Sequence, residues 1–189
     1  LSPAIRMILA RPLGKSPRPL EWIHLSSLND GQNLALSHVL NYTPLGMIQG
    51  PPGAGKTTTL AALIAFLVRS GQRVLVSSAS NLAVDNLLEK VLNEGIPCLR
   101  MGHPARVHPH VREATFDALL KQSPEYNQAK KFRQEARAIK SKAGKWSRAK
   151  PEPGQRKAQY GEARELFAEA DRFEDLAREK LLDDTPTIF

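Results

Sequence analysis

The chain has 189 residues, with 27 Lys or Arg against 19 Asp or Glu and a formal net charge of +8. This balance favours a polyanionic partner, nucleic acid before a membrane surface, although a generic basic protein has the same composition. No run of about 18 apolar residues occurs, which excludes a membrane-spanning helix. Cys98 is the only cysteine, so an internal disulfide is excluded and we expect an intracellular protein, cytoplasmic or nuclear.

The first 25 residues are predicted to form a connector from a region further upstream. Three prolines, Pro12, Pro17 and Pro19, prevent a continuing helix there. The chain starts without Met and ends on an apolar run, Thr187 to Phe189. We therefore expect an incomplete domain, with further sequence on both sides.

Helices and strands are predicted to alternate along the next hundred residues. Hydrophobic residues at helical spacing, short apolar runs and glycine stops mark these elements. The predicted elements are a helix over residues 26–41 capped by Ser27 or Asn29, a strand over 45–49, a helix over 56–70, a strand over 73–78, a helix from Asn81, a strand over 96–101 and a helix around 111–121. This order with short connections predicts an α/β fold, a parallel sheet flanked by helices.

Residues 50–57, Gly-Pro-Pro-Gly-Ala-Gly-Lys-Thr, fit the P-loop pattern G-x-x-x-x-G-K-[ST]. In such a loop the backbone N–H groups cradle phosphates, a lysine contacts the β- and γ-phosphates, and a hydroxyl binds Mg²⁺. Lys56 and Thr57 would take these catalytic roles. The alternative is a chance glycine-rich turn, but a strand before the loop and a helix after it supply the context that the pattern requires. We therefore predict binding of a nucleoside triphosphate.

A strongly basic segment begins at residue 128. Residues 128–157 contain eleven basic residues and only two acidic ones, Glu135 and Glu152. The basic residues are Lys130, Lys131, Arg133, Arg137, Lys140, Lys142, Lys145, Arg148, Lys150, Arg156 and Lys157. A solvated helical face is the ordinary interpretation of such a run. Contact with nucleic acid is the alternative, and we predict it for Lys140, Lys142 and Lys145.

The same region carries a heptad-like apolar seam. In its first half the seam residues are Ala129, Phe132, Ala136, Ile139, Ala143 and Trp146, and in its second half they are Leu166, Ala170, Phe173 and Ala177. Pro151 to Gly154 separates the halves. The spacing predicts an antiparallel helical hairpin over residues 122–183, inserted before a next core strand that begins at 184–189.

A second polar segment, Ser77-Ser78-Ala79-Ser80-Asn81, follows the strand over residues 73–78. Ser80, Asn81 and the free N–H groups of the helix that begins there would form an edge suited to anions. Ordinary helix capping is the alternative for such a segment taken alone.

Taken together, four motifs of this sequence resemble the superfamily 1 helicases of the Upf-like group. They are L-N-x-x-Q, G-P-P-G-A-G-K-T-T-T, S-A-S-N-L-A-V-D-N-L and R-M-G-H-P-A-R. The resemblance covers about residues 24–121 and extends as architecture alone over 122–183. It implies a P-loop NTPase fold, the N-terminal part of the first RecA-like domain, with an inserted helical hairpin.

The resemblance also implies roles for individual residues. Gln32 would contact adenine, although a solvated helix glutamine is the alternative for this residue. Ser80 and Asn81 would contact the backbone of a single RNA or DNA strand, and Arg106 would contact the strand or stabilise the fold, as would Arg100 and His103. The residues implied to hold ATP and Mg²⁺ are Gly50, Gly53, Ala54, Gly55, Lys56, Thr57 and Thr58.

The sequence departs from these helicases in two respects. No apolar strand ending in Asp-Glu follows the P-loop, and no second RecA-like domain with an arginine finger is present. We therefore predict the ATP-binding portion of an ATP-dependent helicase, which needs the remainder of the motor for turnover. The alternatives are a nucleic-acid-binding ATPase that does not unwind and a small-molecule kinase; the basic hairpin argues against the kinase.

Overall fold

The computed structural model describes residues 22–41, 45–144 and 154–189. Outside these ranges lie residues 1–21 of the predicted connector, and also Lys145 and Trp146. The helices are α1 Asp30–Asn41, α2 Lys56–Arg69, α3 Asn81–Asn93, α4 Phe116–Gln122, α5 Pro124–Gly144 and α6 Gln155–Asp184, and the strands are β1 Val74–Leu75, β2 Cys98–Leu99 and β3 Thr187–Ile188. Two short 3₁₀ helices cover Pro104–Arg106 and Pro109–Ala114. Within the described ranges no helix is long and apolar enough to cross a bilayer.

The described residues form two compact units, one within residues 1–74 and 86–96 and one within residues 75–85 and 97–189. In the first unit, Leu28, Leu36 and Ala62 form a buried cluster that joins α1 to α2. The buried side chain of Asn33 donates to the carbonyls of Leu25 and Leu28. These bonds hold the segment before α1 against the helix, because they satisfy backbone groups that no regular element pairs.

The start of α1 confirms one of the two predicted caps. The N–H of Gln32 donates to Oδ1 of Asn29 at 2.9 Å, and the N–H of Asn29 donates to Oε1 of Gln32 at 3.1 Å. This reciprocal pair is a capping box, in which two side chains satisfy backbone donors that the first turn leaves free. Gln32 is therefore held at the start of its helix.

The predicted strand over residues 45–49 is not formed. Residues 45–50 have no regular secondary structure, and Leu45 and Met47 are 42% and 81% exposed. Gly46 lies so close to α1 that a Cβ there would be 2.9 Å from Cγ1 of Val39. The segment thus packs on a helix rather than pairing in a sheet, and its alternate side chains remain exposed.

The second unit contains a three-stranded sheet with the order β1-β3-β2. β2 and β3 are parallel, with Cys98 opposite Thr187 and Leu99 opposite Ile188. The predicted strands over 73–78 and 96–101 are thus present in shorter form, and the predicted strand at the end of the chain lies between them. Cys98 of β2 is buried, and desolvation raises the pKa of its thiol from 9.0 to about 12.

The predicted helix around residues 111–121 is two elements. The 3₁₀ helix Pro109–Ala114 ends at Thr115, whose extended backbone pairs with Arg100 as a parallel bridge. α4 begins only after this residue. Thr115 therefore pairs with the residue after β2 instead of continuing a helix. Helical periodicity could not predict this pairing, because the partner lies 15 positions away.

α5 and α6 pack against each other in opposite directions. Lys180 pairs with Glu125 at 2.7 Å, and the rings of Phe132 and Phe173 lie 5.5 Å apart. Six alanines at intervals of seven residues are buried along the contact: Ala129, Ala136 and Ala143 of α5 with Ala163, Ala170 and Ala177 of α6. Small side chains at these positions allow the two backbones to approach closely.

Replacing Ala170 with Leu should destabilise the α5–α6 pair. The larger side chain has no free volume in the seam, so we expect the free energy of unfolding to fall by about 1–3 kcal/mol. The matched control is Ala168→Leu on the same helix, because Ala168 is exposed and the change should stay within about 0.5 kcal/mol. Urea unfolding of both variants measures the difference; equal losses would contradict close packing at Ala170.

Candidate nucleotide and nucleic-acid sites

Two glycines of the P-loop have a backbone conformation that other residues rarely adopt. Gly53 and Gly55 adopt φ values of 80° and 79°, a left-handed conformation that glycine adopts without a steric penalty. A Cβ at Gly53 would meet nothing within 4 Å, so the space beside it is open. α2 begins at Lys56 directly after the loop, so the positive end of the helix dipole lies at the loop.

Lys56 occupies the mouth of this loop. Its Nζ donates to the carbonyl oxygens of Gly50 and Pro51, each at 2.8 Å. Both acceptors are neutral and belong to the loop itself. A phosphate oxygen is a stronger, charged acceptor and could replace them at the same ammonium group.

Gln32 lies directly against the P-loop. Its Nε2 donates to the carbonyl of Ala54 at 3.3 Å, in addition to the capping bonds with Asn29. A Cβ at Gly55 would lie 2.4 Å from the same Nε2 atom. The start of α1 and the P-loop are thus in contact through one amide side chain.

Thr57 and Thr58, the first two residues after Lys56, have different surroundings. Thr57 is half-buried, whereas Thr58 is exposed and its Oγ1 is 3.5 Å from Nζ of Lys90. Thr58 also lines a cavity of about 210 Å³ with Lys90, Ala61 and Ala62. Its hydroxyl therefore contacts α3.

The second unit carries the polar segment at the start of α3. Ser80 and Asn81 are both exposed, and the carbonyl of Ser80 accepts the N–H of Val84 at 3.2 Å. Oδ1 of Asn81 accepts a hydrogen bond from Nη2 of Arg100 at 3.0 Å. Arg100 itself is only 6% exposed, so it acts in the interior rather than contacting a strand directly.

Asp85 is a residue of this site that the sequence reasoning missed. It is 3% exposed, its Oδ1 accepts from Nε of Arg100 at 2.7 Å, and its Oδ2 accepts from the N–H of His108 at 2.9 Å. The available signal was an aspartate on the apolar face of α3, four residues after Asn81 and next to Val84. A carboxylate at such a position requires a buried cationic partner.

The remaining predicted contacts that the structure describes lie on exposed surfaces of the second unit. Arg106 is exposed at the end of a 3₁₀ helix, and Lys140 and Lys142 are exposed on α5. Arg133 differs from them because Asp171 and Glu174 of α6 pair with it. The hydrogen bond to Asp171, supported by that to Glu174, raises the pKa of Arg133. One of the eleven basic residues is thus neutralised by the neighbouring helix.

Substitution of Gly55 tests the contact between Gln32 and the P-loop. Alanine at either Gly53 or Gly55 should lower the free energy of unfolding by about 1–2 kcal/mol, because its side chain is strained in the left-handed conformation. Gly55→Ala should cost about 1 kcal/mol more, because its Cβ displaces the Gln32 amide from its hydrogen bonds. Urea unfolding without nucleotide measures both, and the excess should vanish when Gln32 is also changed to Ala. An equal cost at the two glycines would contradict the contact.

Comparison with known proteins identifies the family. Residues 27–189 match the AAA domain family. DNA polymerase alpha-associated DNA helicase A of Schizosaccharomyces pombe is 45% identical over 92 residues, which is 49% of this chain and 14% of the helicase. DNA-binding protein SMUBP-2 of Rattus norvegicus is 38% identical over 115 residues, 58% of this chain and 12% of that protein. Regulator of nonsense transcripts 1 of Caenorhabditis elegans is 42% identical over 107 residues, 56% of this chain and 10% of that protein.

This chain therefore spans a small part of the length of each of these relatives. The matched family covers the P-loop, the segment with Ser80 and Asn81, and the two long helices. The chain belongs to the AAA domain family of P-loop NTPases and, within it, to the superfamily 1 helicases of the Upf-like group, where it corresponds to an N-terminal part.

Proposed function

We propose that this chain is the ATP-binding part of an ATP-dependent RNA or DNA helicase that translocates along a single strand. The observation that carries the proposal is the conformation of the P-loop. Two glycines adopt left-handed dihedrals and the space beside Gly53 is open. The ammonium group of Lys56 lies on loop carbonyls that a phosphate can replace. This arrangement suits a triphosphate in a chain of this family.

In this proposal the nucleotide takes contacts from two elements. The triphosphate would lie along the residues Gly50, Gly53, Ala54, Gly55, Lys56, Thr57 and Thr58. Gln32 would pair with the adenine edge. Its amide bonds to Asn29 and Ala54 leave one lone pair on Oε1 and one hydrogen on Nε2, so it can accept and donate once more without losing them.

Magnesium fits the same loop through the Thr57 hydroxyl. Among the residues that the structure describes, no group of three or more His, Cys, Asp or Glu could hold a metal ion. Mg²⁺ keeps several waters and binds nucleotide phosphates in sites of this kind, so it needs few protein ligands. When bound, it would neutralise charge on the β- and γ-phosphates. Cleavage would also use the Asp-Glu carboxylates and the second RecA-like domain that the resemblance implies.

The nucleic-acid strand would contact the second unit. Exposed Ser80, Asn81 and Arg106 can donate to phosphate oxygens, and Lys140 and Lys142 add positive charge on α5. Lys145, which lies outside the described residues, belongs to the same proposal. The names of the relatives describe a DNA helicase, a DNA-binding protein and a regulator of nonsense transcripts; both RNA and DNA therefore remain within the proposal.

Replacing Lys56 with Ala should remove most of the affinity for ATP. Loss of a charged hydrogen-bond donor costs about 1.5–3 kcal/mol, or roughly 10- to 150-fold in the dissociation constant. Titration with a fluorescent ATP analogue measures this loss, and Lys121→Ala serves as the control because it removes one exposed positive charge from α4. If Lys56→Ala binds the ATP analogue as tightly as the wild type, the proposed nucleotide site is wrong.

The same variant tests for unwinding in the full-length protein that contains this chain. We expect ATP-dependent displacement of one strand from a partial duplex, and loss of that displacement with Lys56→Ala. If the wild-type protein hydrolyses ATP in the presence of an oligonucleotide but displaces no strand, the non-unwinding ATPase is correct instead.

Reversing two charges on α5 tests the nucleic-acid surface. The double change Lys140→Glu and Lys142→Glu should weaken binding to a single-stranded oligonucleotide. It should reduce the slope of log affinity against log salt by about 0.7 for each lost phosphate contact. The charge-matched control is Arg164→Glu with Arg172→Glu, two exposed residues of α6. An unaltered salt slope in the α5 variant would show that Lys140 and Lys142 do not contact the phosphates of the strand.

A further inference from the structure

The buried pair Arg100–Asp85 supports an exposed side chain of the proposed strand-binding edge. Arg100 and Asp85 are 6% and 3% exposed, whereas Asn81 is exposed. Arg100 donates through Nε to Asp85 and through Nη2 to Oδ1 of Asn81. One guanidinium group therefore joins an interior carboxylate to a surface amide.

The chemistry of the three groups determines which way the Asn81 amide faces. A guanidinium group has five donors and no acceptor, so only the amide oxygen can bind it. The opposite orientation would place the Nδ2 hydrogens against the donors of Arg100. Oδ1 is thus held towards the interior, and the NH₂ group is left as the outward-facing half of the amide. The hydrogen bond from Arg100 therefore fixes which half of the Asn81 amide is the oxygen.

We propose that Arg100, held in place by Asp85, is a positioning residue that presents the NH₂ group of Asn81 to a phosphate of the bound strand. A phosphate oxygen accepts hydrogen bonds and cannot donate, so it requires the donor half of the amide. Without Arg100 the amide could present either half, and an outward-facing carbonyl would repel the phosphate. The inference rests on the proposed function, because it takes the Asn81–strand contact as its starting point.

The same pair also orders the segment that follows β2. Nη1 of Arg100 donates to the carbonyl of Met101, and Oδ2 of Asp85 accepts the N–H of His108 at 2.9 Å. Arg106 lies between these two attachment points. The Arg100–Asp85 pair therefore bonds Asn81 directly and anchors both ends of the short segment that contains Arg106.

A double-mutant cycle on the full-length protein tests whether Arg100 acts through Asn81. The variants are Asn81→Ala, Arg100→Lys and the double change, and the measurement is fluorescence anisotropy of a labelled 15-nucleotide single strand. Lysine keeps a positive charge opposite Asp85. It lacks the planar guanidinium group, which bonds Asp85 and Asn81 simultaneously. We expect each single change to weaken binding about tenfold, as for loss of one charge-assisted hydrogen bond. The double variant should be no weaker than Asn81→Ala alone, because Arg100 then has no amide to orient.

Each outcome separates the inference from the proposed function. If the losses multiply in the double variant, Arg100 acts independently of Asn81 and the inference is wrong. If Asn81→Ala binds as tightly as the wild type, the proposed strand contact itself is wrong. A purely structural role for Arg100 would lower the thermal midpoint and the affinity for a fluorescent ATP analogue together with strand binding.

Asn81→Asp provides a test that does not depend on how well Arg100→Lys folds. A carboxylate still accepts from Arg100 and suits the start of a helix, so we expect an unchanged thermal midpoint and unchanged affinity for the ATP analogue. The outward NH₂ group becomes an oxygen, so strand binding should fall by more than in Asn81→Ala. Binding equal to that of the wild type would overturn the inference, because the outward group would then not be acting as a donor.

Discussion

Burial of a guanidinium group is the constraint on which the second unit depends. An isolated charge in a protein interior costs several kcal/mol, and breaking a buried pair by removal of one partner costs about 3–5 kcal/mol. Arg100 is accommodated because Asp85, Asn81 and the carbonyl of Met101 each accept one of its hydrogen bonds. Asp85 in turn accepts the N–H of His108. The end of β2, the start of α3 and the segment up to His108 are held together because each supplies part of this network.

Lys56 and Arg100 are two basic residues whose surroundings fit them for different tasks. Both acceptors of Lys56 are neutral carbonyls, and that of Pro51 belongs to an exposed residue. A charged phosphate can replace such partners at little cost. Arg100 has a buried carboxylate as its partner, and no ligand oxygen can replace it without depriving Asp85 of its cationic partner. The lysine is therefore suited to bind and release a ligand, whereas the arginine is suited to hold a neighbouring side chain in one orientation.

The α5–α6 pair combines a closely packed seam with an uneven distribution of charge. Alanines at intervals of seven residues bring the helices together and leave the long side chains at the margins and on the outer faces. Where the margins meet, acidic residues of α6 neutralise part of the basic helix, as Asp171 and Glu174 do for Arg133. Lys140 and Lys142 remain exposed on the outside of α5. A helical pair of this kind can be stable and still offer a basic surface to a polyanion.

Contiguous residues determined the features whose physics is local. The spacing of glycines and Lys56 predicted the P-loop, helical periodicity predicted α2, α3 and the two long helices, and Asn29 was among the predicted caps. Helix periodicity and capping depend on residues three or four positions apart, and the loop conformation depends on glycines within one short stretch. Such interactions can be read directly from the sequence.

Tertiary structure alone decided the features that join distant residues. Residues 45–49 pack on α1 instead of forming a strand, β3 lies between two strands that are neighbours in the sequence, and Thr115 pairs with Arg100 instead of continuing a helix. The burial of Arg100 and the neutralisation of Arg133 belong to the same class. In each case the decisive partner is 7 to 112 positions away. The sequence supplies the apolar run or the charge, and the fold decides which distant backbone or carboxylate comes within bonding distance of it.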